Sequence, residues 1–306
     1  MIKKLLRKLI ISLFLERSQS NRMLQQVKSY QLELFDDSFP RVQELRDEMR
    51  EFDGPHIFID ENWDRWSKQI LELYEDKKLL WEFSRHPIIK KTMTAEPVRS
   101  TPKDLVRELS YANKRHLLEE LIGDNLLNNR HLATSSSRLG HLYILDLIES
   151  NLLKLSYKLE NIVEIGGGFG GLASLFLRKY GVKYKIFDLW QMLPLQYSYL
   201  TTVLGDSARG TNDLSLSPVQ SLDARSSHSA LFISNWALTE STAAMQRFVI
   251  DNDFLGADIA IVCCEDNNSN HKDSKHIHDY LVAHSTEIYQ LKYGLSDSKM
   301  YVIDLR

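Results

Sequence analysis

Five glycines are packed into six residues at mid-chain, in Gly166-Gly167-Gly168-Phe169-Gly170-Gly171. They follow a short apolar run, Ile162-Val163-Glu164-Ile165, and precede a helical pattern over 172–180 that Gly181 is placed to end. Glycine lets the chain turn sharply at positive φ and lets backbone N–H groups approach a ligand with no Cβ in the way. Strand, glycine loop and helix in this order read as the opening βαβ unit of a ligand-binding sheet; the plain alternative is a tight strand–helix turn.

The rhythm around the loop supports the first reading. From Asn161 onward, short apolar runs alternate with helical patterns, which predicts an α/β fold with a parallel sheet. The runs place seven strands at 161–165, 184–188, 213–217, 230–234, 258–263, 287–293 and 299–305. Only 294–298 separate the last two, which predicts a hairpin. A mostly parallel sheet with a terminal antiparallel hairpin resembles the Rossmann-like class I methyltransferases more than NAD-binding domains.

Residues 1–155 read as mainly helical. The spacing predicts helices over 21–35 and 42–52, broken near Pro40 and Gly54. Trp63, Trp66, Ile70, Leu73 and Tyr74 fall on one helical stripe, as core packing requires. Thr101-Pro102 reads as the start of a helix over 104–122 that stops at Gly123. The capping cluster Thr134-Ser135-Ser136-Ser137 precedes a further helix over 139–153. The expected organisation is therefore a helical N-terminal region at 1–155, serving as an acceptor lid, and a cofactor-binding domain at 156–306.

A formal net charge of −3 gives no support to a nucleic-acid-coating role. Cys263 and Cys264 are adjacent and no CxxC occurs, so neither a zinc site nor a disulfide framework is indicated; reduced thiols of a cytoplasmic protein fit. No apolar run approaches the ~18 residues of a spanning helix. Residues 1–17 form a basic amphipathic pattern, with Ile2, Leu5, Leu6, Leu9, Ile10 and Leu13 on one face and Lys3, Lys4, Arg7 and Lys8 on the other. Such a helix fits an anionic membrane surface, the protein's own core or a second subunit, and an oligomer is left open. It lacks the cleavage pattern of a signal peptide.

The loop satisfies two motifs. Gly166-x-Gly168-x-x-Gly171 matches a dinucleotide fingerprint. Glu164-x-Gly166-x-Gly168-x-Gly170 resembles the first motif of S-adenosylmethionine (SAM) dependent methyltransferases, in which the acidic residue lies near the methionine end of SAM. With that resemblance, Gly166, Gly167, Gly168 and Gly170 cradle the cofactor. Asp188, 24 residues after Glu164, would accept hydrogen bonds from the ribose diol. Leu189 or Trp190 would cover the adenosine, plain packing being the alternative for Trp190. Asn235 would touch the SAM amino acid or orient an acceptor hydroxyl, and Trp236 would form a wall; a strand-end Asn is otherwise a turn residue.

VEIGGGFGGLASLFLRKYG, FDLWQMLPLQYSYL and SNWALTE, all within 161–240, resemble bacterial sugar O-methyltransferases that accompany surface-polysaccharide gene sets. The resemblance implies methyl transfer from SAM to a sugar hydroxyl, on an acceptor that is free or lipid-linked, at the cytoplasmic face of the inner membrane. A sugar hydroxyl is a poor nucleophile while protonated, so a general base or a metal ion is expected. The candidate bases are His271, Glu240 and Asp266. Glu265-Asp266 offers oxygen ligands to a divalent metal, a solvated acidic loop being the alternative, and no metal ligand is assigned. His276 and His278, two apart on a helix, do not face each other. Arg130, His131 and Arg138, with Ser135 and Ser136, would hold the acceptor, the alternative being capping and surface charge. Two other functions remain: a NAD-dependent oxidoreductase, and a non-catalytic methyltransferase-like scaffold in a glycan-assembly complex.

Overall fold

Alternation of apolar residues puts every central strand in contact with helices on both faces. Ile162, Tyr184, Ile186, Leu231, Ile233, Ile259, Ile261 and Val302 point into one buried cluster. Val163, Ile165, Phe187, Phe232, Ala260, Val262 and Ile303 point into the other. The period of two along each strand thus builds a three-layer sandwich.

The computed structural model describes residues 17–52, 59–93, 102–114, 116–117, 135–205, 213–222, 230–265, 274–292 and 298–306. Its strands are β1 (Asn161–Ile165), β2 (Lys183–Asp188), β3 (Leu214–Pro218), β4 (Ala230–Asn235), β5 (Ala257–Glu265), β6 (Glu287–Gln290) and β7 (Ser298–Asp304). They form one seven-stranded sheet in the order β3-β2-β1-β4-β5-β7-β6. Neighbours from β3 to β5 pair in parallel, while β7 runs antiparallel to both β5 and β6. This is the Rossmann-like class I methyltransferase sheet. The order reverses at β1 and β4, so the crevice beyond their carboxyl ends is a topological switch point, where open α/β sheets bind ligands.

The helices are α1 (Arg17–Met49), α2 (Glu61–Ile70), α3 (Lys77–Trp81), α4 (Pro87–Thr92), α5 (Pro102–Glu108), α6 (Tyr111–Lys114), α7 (Ser136–Lys154), α8 (Gly171–Tyr180), α9 (Leu193–Leu204), α10 (Ala243–Asp251) and α11 (Ser274–His284). Phe35, Val42, Ile70, Tyr74 and Phe83 share a buried cluster with Phe169, Leu195 and Tyr199, so the core is continuous across residue 155. Among the described residues no helix is long and apolar enough to cross a membrane. The basic pattern at 1–17 lies outside the described residues but for Arg17.

Two helical expectations are corrected. α1 does not break at Pro40 but runs through it. Proline forfeits one helical hydrogen bond and strains the turn before it, at about 3 kcal/mol. Here Pro40 and Asp36, whose carbonyl loses its partner, both face solvent, while Leu34, Phe35 and Val42 are buried on the other side. The helix expected over 104–122 is interrupted at Ser110, which opens α6 and donates its Oγ–H to Asp146 Oδ1 at 2.7 Å and its N–H to Oδ2 at 2.6 Å. Residues 118–123 lie outside the described residues. The stripe Trp63 to Tyr74 is core as expected at Ile70, Leu73 and Tyr74, but the last turn tightens to a 3-10 helix.

Candidate active site

Three strand ends meet at the switch point. After β1 the chain turns through the glycines into α8. Gly166 has φ +76°, and a Cβ built on it would lie 2.0 Å from the Cβ of Ala237. Close approach of the β1 and β4 loops therefore requires glycine there. Gly168, at φ +57°, has only Met93 Sδ near its missing Cβ, at 4.0 Å. The space beside its Cα is therefore open, so a ligand can approach the chain closely there. Gly170 caps α8 in the left-handed region.

Glu164 is buried on the α8 side of the sheet, and its carboxylate accepts a hydrogen bond from the Tyr184 hydroxyl at 2.9 Å. Burial pushes its pKa up to about 8, and the nearby Asp188 carboxylate pushes the same way. The carboxyl lies under the loop, 3.3 Å from a Cβ built at Gly167.

Asp188 closes β2 and faces the loop. Its Oδ1 accepts the Leu189 N–H at 2.7 Å and its Oδ2 accepts Gln196 Nε2 at 2.6 Å. Gln196 Nε2 also donates to the Gly168 carbonyl at 2.9 Å, so Gln196 ties strand end to loop. Burial raises the Asp188 pKa to about 7, against these hydrogen bonds and the Gly168 and Gly167 N–H groups. Leu189 is partly buried, whereas Trp190 is buried in the core and cannot present a face to a ligand. Packing is therefore the reading the structure gives for Trp190. The loop's path is fixed from the N-terminal region, since the Tyr74 hydroxyl donates to the Gln191 carbonyl at 2.6 Å and accepts the Leu195 N–H at 3.2 Å.

At the end of β4, Ser234 Oγ accepts the Leu238 N–H at 2.9 Å and so pins the turn. Trp236 adopts φ +71°, a strained conformation for a bulky residue. It is held there because its N–H donates to the Cys263 carbonyl at 2.9 Å and its carbonyl accepts the Thr239 N–H at 3.1 Å. Asn235 Oδ1 is buried with no hydrogen-bond partner among the described residues, so it suits a ligand that brings a donor. Glu240 follows, and its Oε2 accepts the Trp63 indole N–H at 2.8 Å. Burial lifts its pKa to about 7 and the Glu265 and Asp60 carboxylates add to the rise, so it can take up a proton near neutral pH.

The structure thus places Glu164, Gly166, Gly167, Gly168 and Gly170 at the end of β1 and in the turn after it, Asp188 and Leu189 at the end of β2, and Asn235, Trp236 and Glu240 at the end of β4 and just beyond it. Arg138 is placed elsewhere: it is buried, with Nε donating to the His116 carbonyl at 3.1 Å and Nη1 to Ser174 Oγ at 3.3 Å. Its neighbour Ser135 caps α7 by accepting the Arg138 N–H. Arg130, His131, His271 and Asp266 lie outside the described residues. His278 Nε2 lies 3.1 Å from the Tyr301 hydroxyl, between α11 and β7. Among the described residues no group of three or more His, Cys, Asp and Glu is set to hold a metal ion.

Trp63, Tyr74, Gln196 and His141 were not singled out for the site by the sequence. The His141 ring packs on the loop, 5.7 Å from the Phe169 ring and 2.4 Å from a Cβ built at Gly171. Burial holds it neutral by depressing its pKa to about 3, with Arg138 acting in the same direction. Gln196 was legible in principle, one helical turn into the segment after Asp188; the other three act across long sequence separations.

No protein-family model matches the chain. No curated protein matches it. Among solved structures, the methyltransferase domain of a bacterial Hen1 protein is 16% identical, with 53% of this chain and 97% of that one covered and a TM-score of 0.39. TrmK of M. capricolum, in complex with S-adenosyl-homocysteine, is 14% identical, with 51% and 66% covered and a TM-score of 0.34. The pyocyanin biosynthetic protein PhzM is 14% identical, with 78% and 72% covered and a TM-score of 0.40. At these values the fold class rests on the strand order and the antiparallel β7 of this chain itself.

Proposed function

We propose that the protein is a SAM-dependent O-methyltransferase acting on a sugar hydroxyl. The observation that carries the cofactor reading is the placement, at the strand ends around the β1/β4 switch point, of the open space beside Gly168, the Asp188 carboxylate and Asn235 Oδ1, which has no partner among the described residues. An adenosyl ribose diol matches Asp188 and the α-ammonium of SAM matches Asn235. Bound SAM supplies an electrophilic methyl on a sulfonium: the acceptor oxygen forms the new C–O bond as the C–S bond breaks, sulfur keeping the electron pair and the hydroxyl proton leaving to a base.

Glu240 is the base among the described candidates, because it sits at the β4 end and titrates near neutral pH. Trp63 donates its indole N–H to Glu240, Trp66 packs edge-on against Trp63, and the Trp236 carbonyl accepts the Glu240 N–H; aromatic side chains near a carboxylate suit a pyranose, whose C–H face is apolar and whose hydroxyls are donors. The setting in surface-glycan synthesis at the inner membrane face draws on the motif resemblance and the basic pattern of residues 1–17.

Incubation with SAM and the methyl glycosides of glucose, galactose, mannose and rhamnose should release S-adenosylhomocysteine from at least one. Glu240→Gln should lower kcat by about 10²–10⁴-fold with little change in SAM affinity. Turnover only on amines, or an unchanged kcat in the variant, would remove the sugar hydroxyl or the base from this reading.

A further inference from the structure

The indole–carboxylate contact between Trp63 and Glu240 joins residues 177 apart in sequence, one on α2 and one at the end of β4. An indole N–H donates, cannot accept and does not titrate, so opposite a carboxylate it has one function, to hold an oxygen in place. It takes Oε2 of Glu240 and leaves Oε1 for another donor. Trp63 is itself fixed. Its ring meets Trp66 edge-on at 5.5 Å between centroids, and Lys91 Nζ lies 4.5 Å from the Trp66 ring centroid. Asp60 caps α2 by accepting the Asn62 N–H at 2.8 Å, which sets the first turn from which Trp63 projects. Among the described residues the ionisable groups acting on Glu240 are Asp60, at the start of α2, and Glu265, at the end of β5; both are acidic. The indole is therefore the donor that favours the charged carboxylate against two like charges.

We propose that Trp63 is a positioning residue for Glu240: its indole N–H orients the carboxylate toward the acceptor, so that α2 must be docked on the β4 end for proton transfer to occur. The inference rests on the methyltransferase reading and deepens it by assigning the helical region a part in the chemistry as well as in acceptor enclosure. Without the indole the carboxylate loses a fixed geometry and its proton affinity rises. Proton acceptance then requires a higher pH, while the acceptor surface is otherwise kept.

The test uses the full chain and two readouts. With ¹⁵N-labelled tryptophan, the five indole N–H resonances are followed from pH 5 to 9, and the Trp63 signal is assigned by its loss in Trp63→Phe. The proposal expects that signal to titrate near pH 7 in the wild type and to stay flat in Glu240→Gln, a measurement independent of cofactor and acceptor. In rate measurements with the methyl glycosides above, Trp63→Phe should move the acidic limb of kcat upward by about one pH unit, the worth of one hydrogen bond to a charge. KM for the glycoside should stay within about twofold. A flat Trp63 signal in the folded wild type, or an unmoved limb in a variant that turns over, would overturn the positioning role. A titrating indole in a wild-type protein that methylates none of the glycosides would instead overturn the functional reading, and would leave the contact as a structural tie.

Discussion

Gly166→Ala is expected to destabilise the protein by at least about 3 kcal/mol, whereas Gly168→Ala should cost about 1 kcal/mol and abolish cofactor binding. The two residues stand two apart in one motif and both have positive φ, at +76° and +57°. The same backbone penalty applies to each. What differs is the neighbour. A methyl group on Gly166 meets the Ala237 Cβ at 2.0 Å, far inside contact distance, so the β1 and β4 loops must part. A methyl group on Gly168 meets only Met93 Sδ at 4.0 Å and projects where the cofactor would approach the backbone. Thermal midpoints and calorimetric titration with S-adenosylhomocysteine separate the two effects. Equal loss of stability in both variants would mean that Gly168 does not face a ligand.

Glu164→Gln is expected to make the protein more stable at pH 9 and to leave it nearly unchanged at pH 5. An unfolded glutamate ionises near pH 4.5, but in the fold Glu164 holds its proton to about pH 8. Between those values the folded state binds more protons than the unfolded one, so the stability associated with this group is complete below pH 4.5 and is lost as pH rises through 8. Gln keeps the shape and an acceptor for the Tyr184 hydroxyl, and has no charge to bury. The gain at pH 9 should be about 5 kcal/mol, or about 8 °C in Tm. Melting curves of both proteins at the two pH values test this, and a variant less stable than wild type at pH 9 would show that the ionised carboxylate is stabilised where it stands.

All seven strands were legible in the sequence, because each is a short apolar run set between helical patterns or turn residues. The glycine loop was legible because five glycines in six residues have few other uses. Pro40 does not end α1 because it faces solvent on a helix whose other side is buried, a tertiary fact that the local sequence does not carry. The 104–122 helix failed because Asp146, on a different helix, captures Ser110. The residues proposed to hold the cofactor follow the chain closely, each falling at or beside a strand end. The contacts that fix them do not: Glu240, the proposed base, is held by Trp63, and the Gln191 carbonyl by Tyr74, across 177 and 117 residues. Arg138 illustrates the converse, since a basic residue beside a serine cluster reads as an anion site and is instead packed against α8.

Calorimetric titration of the purified protein with SAM, S-adenosylhomocysteine and NAD, comparing wild type with Asp188→Ala at matched thermal stability, tests the central claim most directly. The claim predicts micromolar binding of SAM or S-adenosylhomocysteine, at least tenfold weaker in the variant, and no binding of NAD. Binding of NAD, or of none of the three, would contradict it.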